Sequence, residues 1–407
     1  MKNNIESSFS NFPSRRFGRT EINIPVLSLG GMRFQQSWED INSHDIAKEN
    51  QENLENIIKR GFSLGLNHIE TARHYGSSER QLGTALRTLN DENKIIQTKI
   101  PPYENVDEFS KQLATSFERL QCEKIDFLAI HGINSREHLD QTIRQNGCLD
   151  VVKKYQEAGR IGSLGFSTHG SSGLIVDAIN SDVFDFVNLH WYFIKQENDV
   201  ALDAAKKRDL GVFIISPTDK GGHLHSPSDL LLDLCSPIHP IIFNDLFCLR
   251  DNRVHTISVG LSRISDLDLH LEAVNLIDRA DEFIPLIQKK LLSKAKLSLG
   301  ENWINTCYKG LPSWDKTPGH MNLPILLWLH NLLIAWDMES FAKDRYGILG
   351  KAGHWFPGEN ADQLDKGINE VTLKDSLRNS PWTDEIPEKL RDLRSKVGYN
   401  STNRLWN

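Results

Sequence analysis

The 407-residue sequence predicts a TIM barrel, an eight-stranded α/β barrel, followed by a mostly helical C-terminal extension. Three observations lead there. Eight short apolar runs, mostly alternating with helix-period segments, fill residues 15–280. A doubly wound sheet is the alternative, but its phosphate-binding G-x-G-x-x-G is missing: Gly30-Gly31-Met32 is the only glycine cluster after the first run. Seven of the nine tryptophans (Trp303, Trp314, Trp328, Trp336, Trp355, Trp382 and Trp406) lie after residue 300, so the last hundred residues form a separate module. The expected organisation is a flexible tail over 1–14, the barrel over 15–280 and the module over 281–407.

The strands are expected at Val26–Leu29, Asn67–Ile69, Ile95–Thr98, Ile125–Ile130, Ile161–Phe166, Phe184–Leu189, Val212–Ile215 and Thr256–Val259. Residues 9–24 are expected to form a small hairpin closing the barrel bottom. Leu54, Ile57, Ile58 and Phe62 share one helical face, and Gly65 is placed to end that helix. Ser78 with Gln81 reads as a capping box before Leu82, Leu86 and Leu89. Asn105, three residues before Glu108, opens the next helix. The stretch 216–255 is too long for an ordinary connection and predicts one helix near Ile241–Leu249 plus a mobile lid.

Composition narrows the function. Lysine plus arginine is 47 and aspartate plus glutamate 54, a net charge of −7, which argues against nucleic-acid binding. The five cysteines (Cys122, Cys148, Cys235, Cys248 and Cys307) are scattered and form no CxxC pair, against disulfides, zinc ribbons and cysteine-bound clusters. The first residues lack an apolar leader core, and the longest apolar run, Leu323–Trp336, is too short to span a bilayer. A cytoplasmic protein is expected. His223, His225, His239 and Cys235 have irregular spacing, and the histidines read as surface groups instead of a metal site.

Active sites of such barrels gather at the C-terminal strand ends. Here those ends offer Glu70, Tyr75, Thr98-Lys99, His131, Ser167, Asn188 and Ser216. A tyrosine, ordinarily near pKa 10, becomes a usable proton donor and acceptor when a lysine stabilises its phenolate. A carboxylate holds the lysine, and a histidine donates to a carbonyl oxygen. Tyr75, Lys99, Glu70 and His131 make that set. Trp38, Trp191 and Tyr192 lie on strand-end loops, as pocket walls or as packing.

At these residues the sequence resembles the aldo/keto reductase superfamily. The matching segments are Asn67-His-Ile-Glu-Thr-Ala-Arg-His-Tyr75-Gly-Ser-Ser-Glu79, Gln97-Thr-Lys99, Ile130-His131-Gly132 and Gly159-Arg-Ile-Gly-Ser-Leu-Gly-Phe-Ser167. The resemblance implies reduction of a small carbonyl substrate with NADP(H) bound in an extended pose. It makes Tyr75 the general acid, Lys99 its pKa-lowering partner, Glu70 the holder of Lys99 and His131 the substrate-orienting donor. It places the cofactor on Gly31, Met32, Ser167, Thr168, Asn188, Ser216, Gly260 and Arg263. Arg263 is the only basic residue in Gly260–Asp266 to pair with the 2′-phosphate.

Three positions depart from the family pattern. Glu70 replaces the usual aspartate. Thr168 or His169 stands in for the asparagine that follows the strand-five serine. Ile215 takes the place of the aromatic residue that stacks on nicotinamide. The tail resembles a bacterial-ferredoxin-like extension stripped of its ligands, since Gly300–Pro312, Met321–Pro324, Trp355–Gly358, Ser380–Trp382 and Ile386-Pro387 keep the spacing but Cys307 alone remains. It reads as a structural or docking module, with a protein partner as its expected occupant. These departures also allow a second reading, a cofactor-binding regulatory or scaffold protein without turnover. Iron and acid-labile sulfide assays on the purified protein are expected to read near zero, whereas stoichiometric iron with a brown colour would contradict the cysteine count.

Overall fold

A computed structural model of the chain describes residues 12–89, 93–353 and 356–398. The expected tail therefore lies largely outside the described residues, as do Trp355 and Trp406. The contacts divide the chain into two compact units. One runs to Gly221 and resumes over Asn244–Asp281, and the other joins Gly222–Phe243 to the chain from Glu282 onward.

The first unit is a closed barrel of eight parallel strands. They are β3 (Leu27–Gly30), β4 (His68–Glu70), β5 (Ile95–Ile100), β6 (Ile125–Ile130), β7 (Ile161–Ser167), β8 (Phe186–Leu189), β9 (Gly211–Ile214) and β10 (Thr256–Gly260), and β10 closes on β3. Each expected strand is present, shifted by a residue or two. Helices α1 (Lys48–Ser63), α2 (Ser78–Thr88), α3 (Val106–Leu120), α4 (Arg136–Ile143), α5 (Cys148–Glu157), α6 (Ser172–Asn180) and α7 (Asp199–Lys207) separate them. Gly65, at φ +94°, turns the chain after α1 as expected. Asn105 caps α3 by accepting from the Asp107 amide at 2.9 Å. The Ser78 capping box is not formed. The Ser78 hydroxyl instead donates to the Gly31 carbonyl at 2.9 Å and lies 2.7 Å from Thr71 Oγ1, tying α2 to the barrel mouth.

The hairpin forms from β1 (Ser14–Arg16) and β2 (Asn23–Pro25). It delivers Phe17 onto Phe127 and Phe186, with ring centroids 5.3 and 5.6 Å away. Ile24, Ile95, Ala129 and Phe213 complete this apolar floor. Above it the interior turns polar: Ser28 Oγ lies 2.6 Å from His68 Nδ1 and 2.8 Å from Thr256 Oγ1. Burial pushes the His68 imidazole down to about 3, so it is neutral there.

The expected single helix over 216–255 is two, α8 (Asp229–Cys235) and α9 (Pro240–Arg250). The stretch Gly222–Phe243 also belongs to the second unit, which departs from a free lid. Within that unit Ser228 Oγ donates to the Trp336 carbonyl at 3.0 Å and Lys290 Nζ to the Ser236 carbonyl at 2.8 Å. His223 is buried, 3.2 Å from Ser340 Oγ and 3.4 Å from Asp344, so it is not a surface group. Cys235 is buried too, its thiol pushed up to about 12.

The core helix of this unit is α13 (Leu323–Trp336), packed on α14 (Glu339–Ile348) and α16 (Glu385–Val397). The other elements are α10 (Leu267–Asn275, in the first unit), α11 (Ala280–Leu299), α12 (Glu301–Thr306) and α15 (Glu370–Ser376). Three of the tryptophans after residue 300 place the indole N–H on a partner within the unit. Trp303 donates to Asn331 at 2.8 Å, Trp336 to the Leu291 carbonyl at 3.0 Å and Trp382 to Thr306 at 2.9 Å. Among the described residues no single helix is long and apolar enough to cross a membrane.

Phe127→Ala empties the centre of the floor and is expected to cost about 3–5 kcal/mol. Calorimetry should show the lowered transition, and an unchanged thermogram would remove the floor as a stability determinant.

Candidate active site

The residues at the strand ends converge on one buried ion pair. Strand alternation points Glu70 of β4 and Lys99 of β5 into the barrel, and Lys99 Nζ donates to Glu70 Oε2. Lys99 also donates to the Thr71 carbonyl at 2.8 Å. The other Glu70 oxygen accepts from Ser258 Oγ of β10 at 2.7 Å. The glutamate thus reaches past β3 to a hydroxyl on β10. A Cβ on Gly30 would sit 2.6 Å from that hydroxyl, so the glycine leaves it room.

Tyr75 follows β4 in the turn leading to α2. Lys99 Nζ stands 4.9 Å from its ring centre, and the His131 ring meets it edge-on at 5.8 Å and 86°. The structure therefore brings Tyr75, Lys99, Glu70 and His131 together.

The electrostatics correct one expectation. Burial pushes the Tyr75 phenol up from its ordinary value; Lys99 pulls it down and Glu70 pushes it up, leaving it raised. The lysine limits the rise instead of producing a net fall. Burial alone would depress the Lys99 ammonium, but Glu70 and Tyr75 more than reverse this. Burial, with help from Lys99, His74 and Lys220, holds His131 well below its ordinary value. The site at neutral pH is thus a protonated phenol, an ammonium and a neutral imidazole. Among the described residues His131 Nδ1 has no hydrogen-bond partner.

The side opposite carries the expected cofactor residues. Ser167 ends β7 and pairs in register with Asn188 of β8. Ser167 Oγ accepts from the Gly132 amide at 3.1 Å. The Asn188 side chain is fully buried, and neither its oxygen nor its nitrogen has a partner among the described residues. An orphaned donor and acceptor on one amide match a ligand carboxamide. Thr168 is committed elsewhere, donating to the Ile133 carbonyl at 2.7 Å and accepting from the Gly170 amide at 2.9 Å. Of the two stand-ins, His169 is joined to a chain of rings, its Nδ1 2.7 Å from His190 Nε2 and His190 Nδ1 in contact with the Tyr192 hydroxyl. Trp191 is packing, stacked on Phe247 at 4.8 Å. Ile215 packs on the apolar floor. Ser216 opens the following loop at φ +51°.

Gly31 is needed for close approach. Its amide donates to the Glu70 carbonyl at 2.7 Å, and a Cβ would lie 2.8 Å from that oxygen. Met32 beside it is half-buried. Gly260 ends β10 with the Arg33 side chain lying across it. Arg263 is exposed and 3.3 Å from Asp266.

Four residues escaped the sequence reading. Ser258 sits two positions before Gly260, and no local pattern marks it as the partner of Glu70. Arg33 follows the glycine pair and reaches Ser262 Oγ at 3.1 Å. Lys220, in Pro217-Thr-Asp-Lys-Gly221, lies close enough to depress both His131 and His169. Thr218, in the same loop, is a buried hydroxyl without a partner among the described residues.

Residues 26–233, just over half of the chain, match the family model described as the aldo/keto reductase family. A relative from Caenorhabditis elegans described as an uncharacterized oxidoreductase is 25% identical over 181 residues, covering 42% of this chain. The chain spans about half the length, 50%, of that curated relative. Among solved structures, an aldo-keto reductase from Bacillus halodurans in its holo form superposes with a TM-score of 0.59 at 17% identity, over 69% of this chain and 96% of its own. A thermostable aldo-keto reductase solved with the inhibitor epalrestat gives 0.57 at 22% identity, over 69% and 100%. At these identities the likeness is one of fold.

Glu70→Ala strands a buried lysine and is expected to cost about 3–5 kcal/mol. Glu70→Asp keeps the charge and gives up the reach to Ser258, costing about 1–3 kcal/mol. Denaturant titration of both variants checks the order. Lys99→Met is expected to move the Tyr75 phenol further up, read as tyrosinate absorbance against pH with Tyr75→Phe as the blank. A downward move would reverse the assigned sign of the Lys99 field.

Proposed function

We propose, from the premise that this chain belongs to the aldo/keto reductase family, that it reduces an aldehyde or ketone with NADP(H) and that Tyr75 is the general acid. The observation that carries this reading is the Tyr75–Lys99–Glu70 cluster with a neutral His131 at its edge. A reduced nicotinamide cofactor supplies a hydride when bound. Asn188 and Ser167 would hold its carboxamide end, and Arg33 with Arg263 its phosphate end.

Tyr75 holds the proton that the carbonyl oxygen takes up. A raised phenol keeps that proton at neutral pH until a developing alkoxide draws it off. Lys99, fixed by Glu70 and the Thr71 carbonyl, stabilises the phenolate left behind and so lowers the cost of the transfer. The neutral His131 orients the carbonyl through a ring N–H without competing for the proton. Burial of both charged side chains removes the ion pair from bulk water, which strengthens its field at the phenol.

Turnover of a panel of aldehydes with NADPH and NADH tests the reading. Tyr75→Phe is expected to lower kcat by about 10²–10⁴-fold with little change in NADPH affinity. Full activity in that variant would make His131 the next candidate donor. Arg33→Ala and Arg263→Ala, each removing a charge-assisted contact of about 1.5–3 kcal/mol, should weaken NADPH binding about tenfold or more while sparing NADH. Cofactor binding without turnover of any aldehyde would favour a regulatory or scaffold protein.

A further inference from the structure

Tyr75 has a neighbour that the proton transfer does not use. Trp38, in the loop between β3 and α1, stands edge-on to the Tyr75 ring, centroids 6.4 Å apart at 82°. Its position is set from the residues around it. Asp40 accepts from Arg73 Nη2 at 2.8 Å, from Arg80 Nε at 3.1 Å and from Arg119 Nη2. These arginines come from three places: the turn after β4, α2 and α3. The Arg73 and Arg119 side chains are each 10% exposed and Asp40 is 29% exposed, so the cluster sits half-buried at the surface.

The backbone beside Trp38 is equally constrained. The Ser77 amide donates to the Ser37 carbonyl at 3.0 Å, and Ser77 Oγ accepts from the Ser37 amide at 3.2 Å. Gly76, at φ +53°, lies beneath: a Cβ there would come within 2.0 Å of the Ser37 oxygen and 2.6 Å of the Trp38 carbonyl carbon. No side chain fits, so the loop rests on the turn that carries Tyr75. The flanking loop is pinned independently, because the Gln36 amide donates to Gln81 Oε1 at 2.9 Å and Gln36 Oε1 accepts from the Ala47 amide at 2.6 Å. Loss of Asp40 therefore frees the Trp38 tip and not the whole segment.

We propose that Asp40 is a specificity-determining positioning residue. By gathering Arg73, Arg80 and Arg119 onto one carboxylate it fixes Trp38 as an aromatic wall beside the proton donor, and so selects carbonyl compounds with an aromatic group next to the carbonyl. This rests on the carbonyl-reductase reading. The Trp38, Tyr75 and His131 rings succeed one another edge-on, an arrangement that accepts a further flat ring at its end.

The test uses the full chain, benzaldehyde and propanal. Asp40→Asn should raise KM for benzaldehyde about tenfold and leave KM for propanal, and kcat for both, within about twofold. Trp38→Ala should likewise raise KM for benzaldehyde, and Asp40→Asn should add nothing to that rise in the Trp38→Ala background. A second readout needs no turnover. In protein labelled with 5-fluorotryptophan, the ¹⁹F resonance lost in Trp38→Phe belongs to Trp38. Asp40→Asn should shift and narrow that resonance alone, and benzaldehyde should shift it in the wild type but not in Asp40→Asn. An unmoved resonance, equal KM changes for both aldehydes, or additive effects in the double variant would overturn the proposal. A wild type that turns over neither aldehyde sinks the reductase reading alone, and the benzaldehyde shift then still decides whether Asp40 sets the aromatic wall.

Discussion

The buried contact between Lys99 and Glu70 is the constraint on which the rest of the site depends. Removing both charges from water costs several kcal/mol per ion, and only good geometry with further hydrogen bonds offsets it. Here the offsets are specific. The Thr71 carbonyl accepts a second hydrogen bond from the ammonium, and Ser258 donates to the far carboxylate oxygen. Three strands, β4, β5 and β10, must be in register for these groups to meet. The pair thus couples barrel closure to the electrostatics felt by Tyr75.

The barrel interior is graded along its axis to make that possible. At the floor Phe17, Phe127, Phe186 and Phe213 exclude water. Ser28, His68 and Thr256 form a neutral hydrogen-bonded layer above it. The ion pair and the phenol come next, at the mouth. A charge placed at the floor would find only apolar side chains, whereas at the mouth it finds hydroxyls and carbonyls. The neutral state of His68 belongs to this gradient, since a cation there would repel Lys99.

Much of this was legible in the sequence, because a buried parallel strand and an amphipathic helix differ in period. The eight runs and the helix ends at Gly65 and Asn105 came from local rules. Those rules erred where a side chain had a long-range partner. Ser78 looks like a cap, but its hydroxyl is used by Gly31 across 47 positions. The four central site residues were legible from their motifs, while their partners were not. Nothing local marks Ser258 as the complement of Glu70, or Arg33 as the residue lying over Gly260. The sign of the Tyr75 shift was equally out of reach, since it depends on how far burial outweighs a neighbouring charge.

The second unit is stitched from two stretches of chain, and this decides how the gene can be cut. Gly222–Phe243 is made early, before β10 exists to close the barrel, and its partners Lys290, Trp336 and Ser340 are made later. Stopping translation after Asp281 would supply all eight strands but leave Leu224, Leu231 and Cys235, buried in the whole chain, without the helices of their own unit. A recombination event that exchanged only the tail would also have to match Gly222–Phe243, which lies in sequence between β9 and β10.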